Sequence, residues 1–151
     1  MKKITLICYG KLKTPGLLAA VEEFSKRLSK YTDFKTFELK REEVIEVLSS
    51  PALKPRAGNQ SELWCLDETG IALKTSEWAK YLLNINEKKS GELVLVIGGS
   101  FGLTDAILKS AHRKVSFGPQ TLSHQLARLV LVEQLYRALS VNAGHPYHKE
   151  G

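Results

Sequence analysis

Three stretches of the chain combine residue types that can do chemistry. The first, Ile97-Gly98-Gly99-Ser100-Phe101-Gly102-Leu103, follows an apolar run and precedes a helical pattern. Its glycines let the backbone approach a ligand closely and adopt positive φ. The spacing G-G-x-x-G is not the dinucleotide fingerprint G-x-G-x-x-G, and no Gly-Lys-Ser/Thr follows as in a phosphate loop. By spacing alone, a tight turn without ligand fits as well as a binding loop. The second stretch, VSFGPQTLSHQLAR from Val115 to Arg128, offers Thr121 or Ser123 as a helix cap and carries His124 in the first turn of that helix. A lone histidine in such a turn is more often a surface residue than a participant in chemistry. The third is the tail, Gly144-His145-Pro146-Tyr147-His148-Lys149, with an unusual density of histidine, tyrosine and lysine for a segment that is frayed by default.

The elements that must position these stretches alternate in type. Apolar and β-branched runs predict strands over 3–8, 34–39, 63–66, 93–97 and 114–117. Steps of three and four between Leu17, Val21, Phe24, Leu28 and Tyr31 predict a helix over 17–31. Further helices are expected over 42–48, 76–88, 105–111 and 122–141, and a Pro- and Gly-containing loop over 49–61. Alternation of this kind predicts one α/β domain, residues 1–151, with a mostly parallel sheet. The unbroken apolar run LVLVI at 93–97 suits a central strand covered on both faces. In such sheets ligands sit beyond the carboxyl ends of the strands. That rule selects the loops after Leu66, Ile97 and Phe117. The final helix is apolar over more than one stripe, so one side is expected on its own sheet and another against a second subunit, making a homodimer.

Composition bounds the partners. Lysine and arginine number 22 against 16 acidic residues, a formal charge of +6 that favours an anionic partner such as nucleic acid. A merely solvated basic surface fits the charge equally well. Cys8 and Cys65 lie in strand-like runs with no zinc-ligand spacing, and read as small core residues in a reducing compartment. No metal site is expected. No signal peptide and no apolar run of the ~20 residues a membrane span requires is evident, so the expectation is a cytoplasmic protein with no membrane partner.

Taken together, IGGSFGL, TLSHQLARLVLVEQLYRA and the terminal HPYHK resemble the RlmH family of the SPOUT superfamily. The likeness runs from the opening KITLICYGKLK to the tail, essentially the whole chain. The resemblance implies an α/β sheet whose C-terminal part is threaded into a trefoil knot, an exception to the usual unknotted topology, and a homodimer. It implies S-adenosyl-L-methionine as cofactor and methylation of N3 of a pseudouridine in large-subunit (23S) ribosomal RNA, on the assembled ribosome. Carried onto matching positions, the cofactor contacts would be Leu66, Gly98, Phe117, Gly118, Pro119, Gln120, Thr121 and Leu122. His124, Tyr147 and His148 become candidates to take the imide proton, with Arg128 to stabilise the developing anion. The tail of one subunit would complete the site of the other.

The chain departs from the family pattern at Ser123, where members commonly carry proline, and in Gly118-Pro119-Gln120. Pro119 has no N–H, so a cofactor bond there must come from its carbonyl or a neighbour. Three rival readings stand beside the resemblance. A non-catalytic RNA-binding α/β module would bind RNA but not S-adenosylmethionine. Another α/β enzyme with a nucleotide cofactor lacks its signature loops. A SPOUT methyltransferase acting on a different RNA shares the fold.

Overall fold

A computed structural model describes residues 2–40, 61–88, 91–99 and 102–149. The strands are β1 (Lys3–Tyr9), β2 (Asp33–Leu39), β3 (Glu62–Ala72), β4 (Glu92–Ile97) and β5 (Arg113–Ser116). The helices are α1 (Pro15–Leu28), α2 (Thr75–Glu87), α3 (Asp105–Ser110) and α4 (His124–Asn142). The helix expected over 42–48, and the loop over 49–61 except Ser61, lie outside the described residues.

The five strands form one sheet in the order β2-β1-β4-β3-β5. Every pairing is parallel, so "mostly parallel" becomes wholly parallel among the described strands. β4 lies between β1 and β3 and is buried throughout Leu93–Ile97. Its side chains alternate between two cores, as period-two geometry requires. Leu93, Leu95 and Ile97 join a large cluster with Val21 and Leu28 of α1, Trp78 and Leu82 of α2, and Leu131 and Leu135 of α4. Val94 and Val96 face the other way, with Ile7, Cys65 and Ile107 of α3.

Local chemistry explains the helix ends. Pro15 occupies the first turn of α1, where its missing N–H costs nothing, and Lys26 and Arg27 in the last turn complement the helix dipole. Glu77 accepts a 2.7 Å hydrogen bond from the Lys74 N–H ahead of α2. Ser123, one of the two caps considered, accepts the Leu126 N–H at 3.2 Å and starts α4.

Two expectations change in detail. β3 was expected to end at Leu66 but runs to Ala72. Val115 of β5 pairs with both Leu66 and Ile71, so residues 67–70 bulge out between two paired segments. The polar run Asp67-Glu68-Thr69-Gly70 is this bulged stretch, still within the strand. Gly70 is needed there because a Cβ would lie 2.7 Å from the Lys114 carbonyl carbon.

The second change concerns α4. It packs against α1, α2 and β4 of its own chain, so much of its apolar circumference is covered without a second subunit. Leu126 near its start and Val141 near its end remain exposed. Cys8 and Cys65 are both free and buried. Burial pushes each thiol up to about 12, which leaves both protonated and unreactive at neutral pH. Among the described residues no helix is long and apolar enough to cross a membrane, and no group of three or more His, Cys, Asp or Glu could hold a metal ion.

Candidate functional site

The bulge in the middle of β3 and the carboxyl ends of β4 and β5 open into one cleft of about 700 Å³. Leu66 and the bulged Asp67 and Glu68 of β3 line it, flanked by Ile97, Gly98 and Gly99 at the end of β4. Phe117, Gly118, Gln120, Thr121 and Leu122 line it after β5, and His124 and Ala127 line it from α4. Seven of the eight residues matched to cofactor contacts therefore line the same cleft. Pro119 is exposed and does not line it.

Each wall is shaped by local constraints. Gly98 runs against the chain at Gly102, where an added Cβ would lie 2.8 Å from the carbonyl carbon. Gly99 accepts the Gly102 N–H at 2.9 Å, and Gly102 holds φ of +68°, closing the turn tightly. After β5, Ser116 Oγ donates to the Gly118 carbonyl at 2.7 Å and accepts the Gly118 N–H at 3.0 Å. Gly118 itself adopts φ of +109°, a conformation that disfavours any other residue. Across the cleft, Thr121 Oγ1 donates to Glu68 Oε2 at 2.8 Å, tying the β3 bulge to the segment that leads into α4.

The four residues considered for proton and anion chemistry do not share this cleft. His124 lines it and is half-buried. Arg128, one turn further along α4, points away into an ion pair: its Nη1 donates to Glu38 Oε2 at 2.7 Å. That carboxylate oxygen also accepts the Leu12 N–H at 2.8 Å. Burial pushes the Glu38 carboxyl up, but the Arg128 and Leu12 hydrogen bonds outweigh it and hold it below the usual carboxylate range.

Tyr147 and His148 sit at the other end of α4. The Tyr147 ring packs edge-on against Tyr136 with centroids 4.6 Å apart, and its hydroxyl donates to Glu133 at 3.1 Å. Burial and the Glu133 carboxylate both push its phenol up, making ionisation harder. His148 Nδ1 lies 3.5 Å from Arg137 Nη1. Arg137 is roughly 20 Å from His124 along the helix axis at ~1.5 Å per residue. The tail is therefore docked on its own helix and does not reach the cleft of its own chain.

Sequence reasoning placed the stretch after Leu66 at the site but singled out neither Asp67 nor Glu68, because the bulge that aims them is set by β5 pairing and by Gly70. It also missed Glu38 and Gln125. Gln125 Oε1 accepts from Thr14 Oγ1 at 3.0 Å and from the backbone N–H groups of Thr14 and Lys13 at 3.3 and 3.4 Å. These contacts join positions more than a hundred residues apart, and no local pattern signals them.

Comparison with known proteins narrows the chemistry. Residues 1–148 match the family model described as "Predicted SPOUT methyltransferase". The ribosomal RNA large subunit methyltransferase H of Clostridium novyi (strain NT) is 38% identical, over 97% of this chain and 99% of the relative. The protein of the same name from Streptococcus uberis is 36% identical over the same shares. Among solved structures, a probable methylase family protein from Haemophilus influenzae superposes with a TM-score of 0.56 at 14% identity, covering 97% of this chain and 70% of the other. The SpoU methyltransferase AviRb from Streptomyces viridochromogenes, solved in complex with the cofactor AdoMet, gives 0.52 at 13% identity, covering 95% and 59%. At these identities the structural likeness concerns the fold.

Proposed function

The chain belongs to the SPOUT methyltransferase family, and on that premise we propose that it methylates N3 of a pseudouridine in large-subunit ribosomal RNA, using S-adenosylmethionine. The observation that carries this reading is a single cleft built by the β3 bulge and the loops after β4 and β5, in a chain whose full-length relatives are named as large-subunit ribosomal RNA methyltransferases.

The cleft suits the cofactor. Its volume of about 700 Å³ falls within the range usual for small-molecule sites. Leu66, Leu103, Phe117 and Leu122 offer apolar surface for an adenine ring, and the glycine turns offer backbone groups to read its edge. Asp67 and Glu68 place carboxylates on the wall, which favours a ligand carrying a sulfonium and an amino cation. No lysine or arginine is among the described residues lining it, which argues against a phosphate-rich nucleotide. The sulfonium of the bound cofactor supplies an already electrophilic methyl group, so no metal is called for.

The chain's own residues do the rest. The glycine turns hold the cofactor in place, and the walls fix the line of approach between methyl and nucleophile, a proximity effect worth up to ~7–11 kcal/mol in favourable systems. N3 of a pseudouridine is an imide nitrogen that must lose its proton before or during attack. His124, at the cleft end of α4, is the side chain of this chain placed to accept it, an effect of roughly 10²–10⁴-fold. Tyr147 and His148 act on the cleft of a partner subunit in a homodimer, since their own cleft lies at the other end of α4. The knot and the dimer are read from the family resemblance, and the exposed Leu126 beside the cleft gives the partner an apolar foothold.

The substrate is the assembled ribosome: a chain of 151 residues has little surface for reading RNA sequence, and RNA is commonly recognised by shape and splayed-out bases. The test is transfer of a labelled methyl group from S-adenosylmethionine to ribosomes that lack the modification. Label in large-subunit RNA is expected; cofactor binding without label in any ribosomal RNA would redirect the reading to another RNA.

A further inference from the structure

We propose that Lys11 and Lys13 form a lip that grips the phosphate backbone of the RNA substrate beside the methyl-transfer cleft. The inference rests on RNA being the substrate, and adds where the RNA backbone lies.

The two lysines flank Leu12 in the loop from β1 to α1. Leu12 is 6% exposed, whereas Lys11 and Lys13 are both exposed, so an apolar anchor sits between two outward cations. The loop leaves β1 through Gly10, at φ of +74°, whose N–H donates to the Leu39 carbonyl at 2.9 Å. Glu38 holds the Leu12 N–H, and Gln125 holds the loop at Lys13 and Thr14. The cations are therefore carried on a backbone fixed to the first turn of α4, the turn that also carries His124.

Their position follows from shared walls. Lys11, Gln125 and Arg128 line a crevice of about 10 Å³, room for no more than a water. Ile97 and His124 line both that crevice and the large cleft. The lysine loop thus lies across the first turn of α4 from the place where a base would react. An enzyme acting on a base must draw that nucleotide out of its stack, and the flanking phosphates then pass close to the cleft rim.

The charges are available for that contact. Among the described residues neither lysine has a carboxylate within ion-pair distance, in contrast to Lys3, Lys35 and Lys88. Glu38, whose field Lys11 shares, is already bonded to Arg128 and Leu12. Phosphate contacts of this kind fix register and orientation without reading sequence, which suits an enzyme whose substrate is chosen by ribosome shape.

The experiment compares Lys11→Ala/Lys13→Ala with Lys26→Ala/Lys30→Ala, which removes the same charge near the C-terminal end of α1. α1 runs back from the carboxyl ends of the strands, so that control pair lies at the opposite end of the sheet. Binding to assembled ribosomes would be measured across a potassium chloride series, alongside methyl transfer and S-adenosylmethionine binding. The lip pair should raise KM for ribosomes about tenfold and lower the salt slope of log K by roughly 1.5–2. Cofactor affinity should stay within about twofold, and the control pair should behave as wild type. A lip variant with unchanged slope and KM, or a control that falls as far, would overturn the proposal. Failure of the wild-type protein to transfer methyl would instead overturn the enzymatic reading, and the salt slopes would still decide the lip.

Discussion

Arg128 Nη1 donates to Glu38 Oε2 at 2.7 Å, joining α4 to the end of β2 across 90 residues of sequence. The arginine is 8% exposed, so its charge is matched inside the protein by the Glu38 carboxylate. Glu38 is more open, with a third of its side chain accessible. The pair therefore fixes the first turns of α4, and His124 with them, relative to β1 and β2.

Glu38→Ala should destabilise the protein by about 2 kcal/mol, below the 3–5 typical of breaking a fully buried pair because Glu38 is partly exposed. The Glu38 carboxyl is held below its ordinary value, so its contribution is present above the unfolded value of about 4.3 and lost as pH falls through the folded one. Denaturant midpoints below pH 4.5 should thus fall less steeply for the variant than for wild type. Parallel acid limbs would contradict that assignment.

Gly98→Ala should cost cofactor affinity at least tenfold. The new methyl would press on the Gly102 carbonyl carbon at 2.8 Å, and the turn after β4 would have to shift. Calorimetric titration with S-adenosylmethionine checks it. Gly16→Ala is the control, since a Cβ there meets nothing within 4 Å.

Thr121→Val removes the bond to Glu68 across the cleft while keeping the side-chain shape. A weakening of cofactor binding by roughly three- to tenfold is expected, with thermal stability lowered by no more than ~1 kcal/mol. Equal cofactor dissociation rates in the two proteins would show that the tie does not shape the cleft.

Tail function in trans predicts complementation. His124→Asn and a chain lacking residues 146–151 should each be nearly inactive, the histidine variant by roughly 10²–10⁴-fold. Co-refolded, they should regain activity, because one cleft of a mixed dimer has both an intact His124 and an intact tail. A mixture as inactive as its parts would rule out completion across subunits.

The sheet was legible because it is written locally. LVLVI at 93–97 has the apolar continuity of a strand covered on both faces, and the steps from Leu17 to Leu28 have the helical period. The rule that ligands sit at strand carboxyl ends then led from Leu66, Ile97 and Phe117 to the cleft. Long-range contacts were not legible. Nothing near Arg128 in sequence signals Glu38, and the β3 bulge depends on β5 pairing with two separate segments of one strand. Tyr147 and His148 were named beside His124 from the family resemblance, with the tail expected to act on the site of the other subunit. The helix between them sets them apart.

The most direct test of the account is nucleoside mass spectrometry of ribosomal RNA after incubation of the protein with S-adenosylmethionine and ribosomes from a strain lacking the modification, with naked RNA alongside. The account predicts one new methyl group, on N3 of a pseudouridine in large-subunit RNA, formed in assembled ribosomes and not in naked RNA. A methyl group on another base, or no methylation under conditions where cofactor binds, would contradict it.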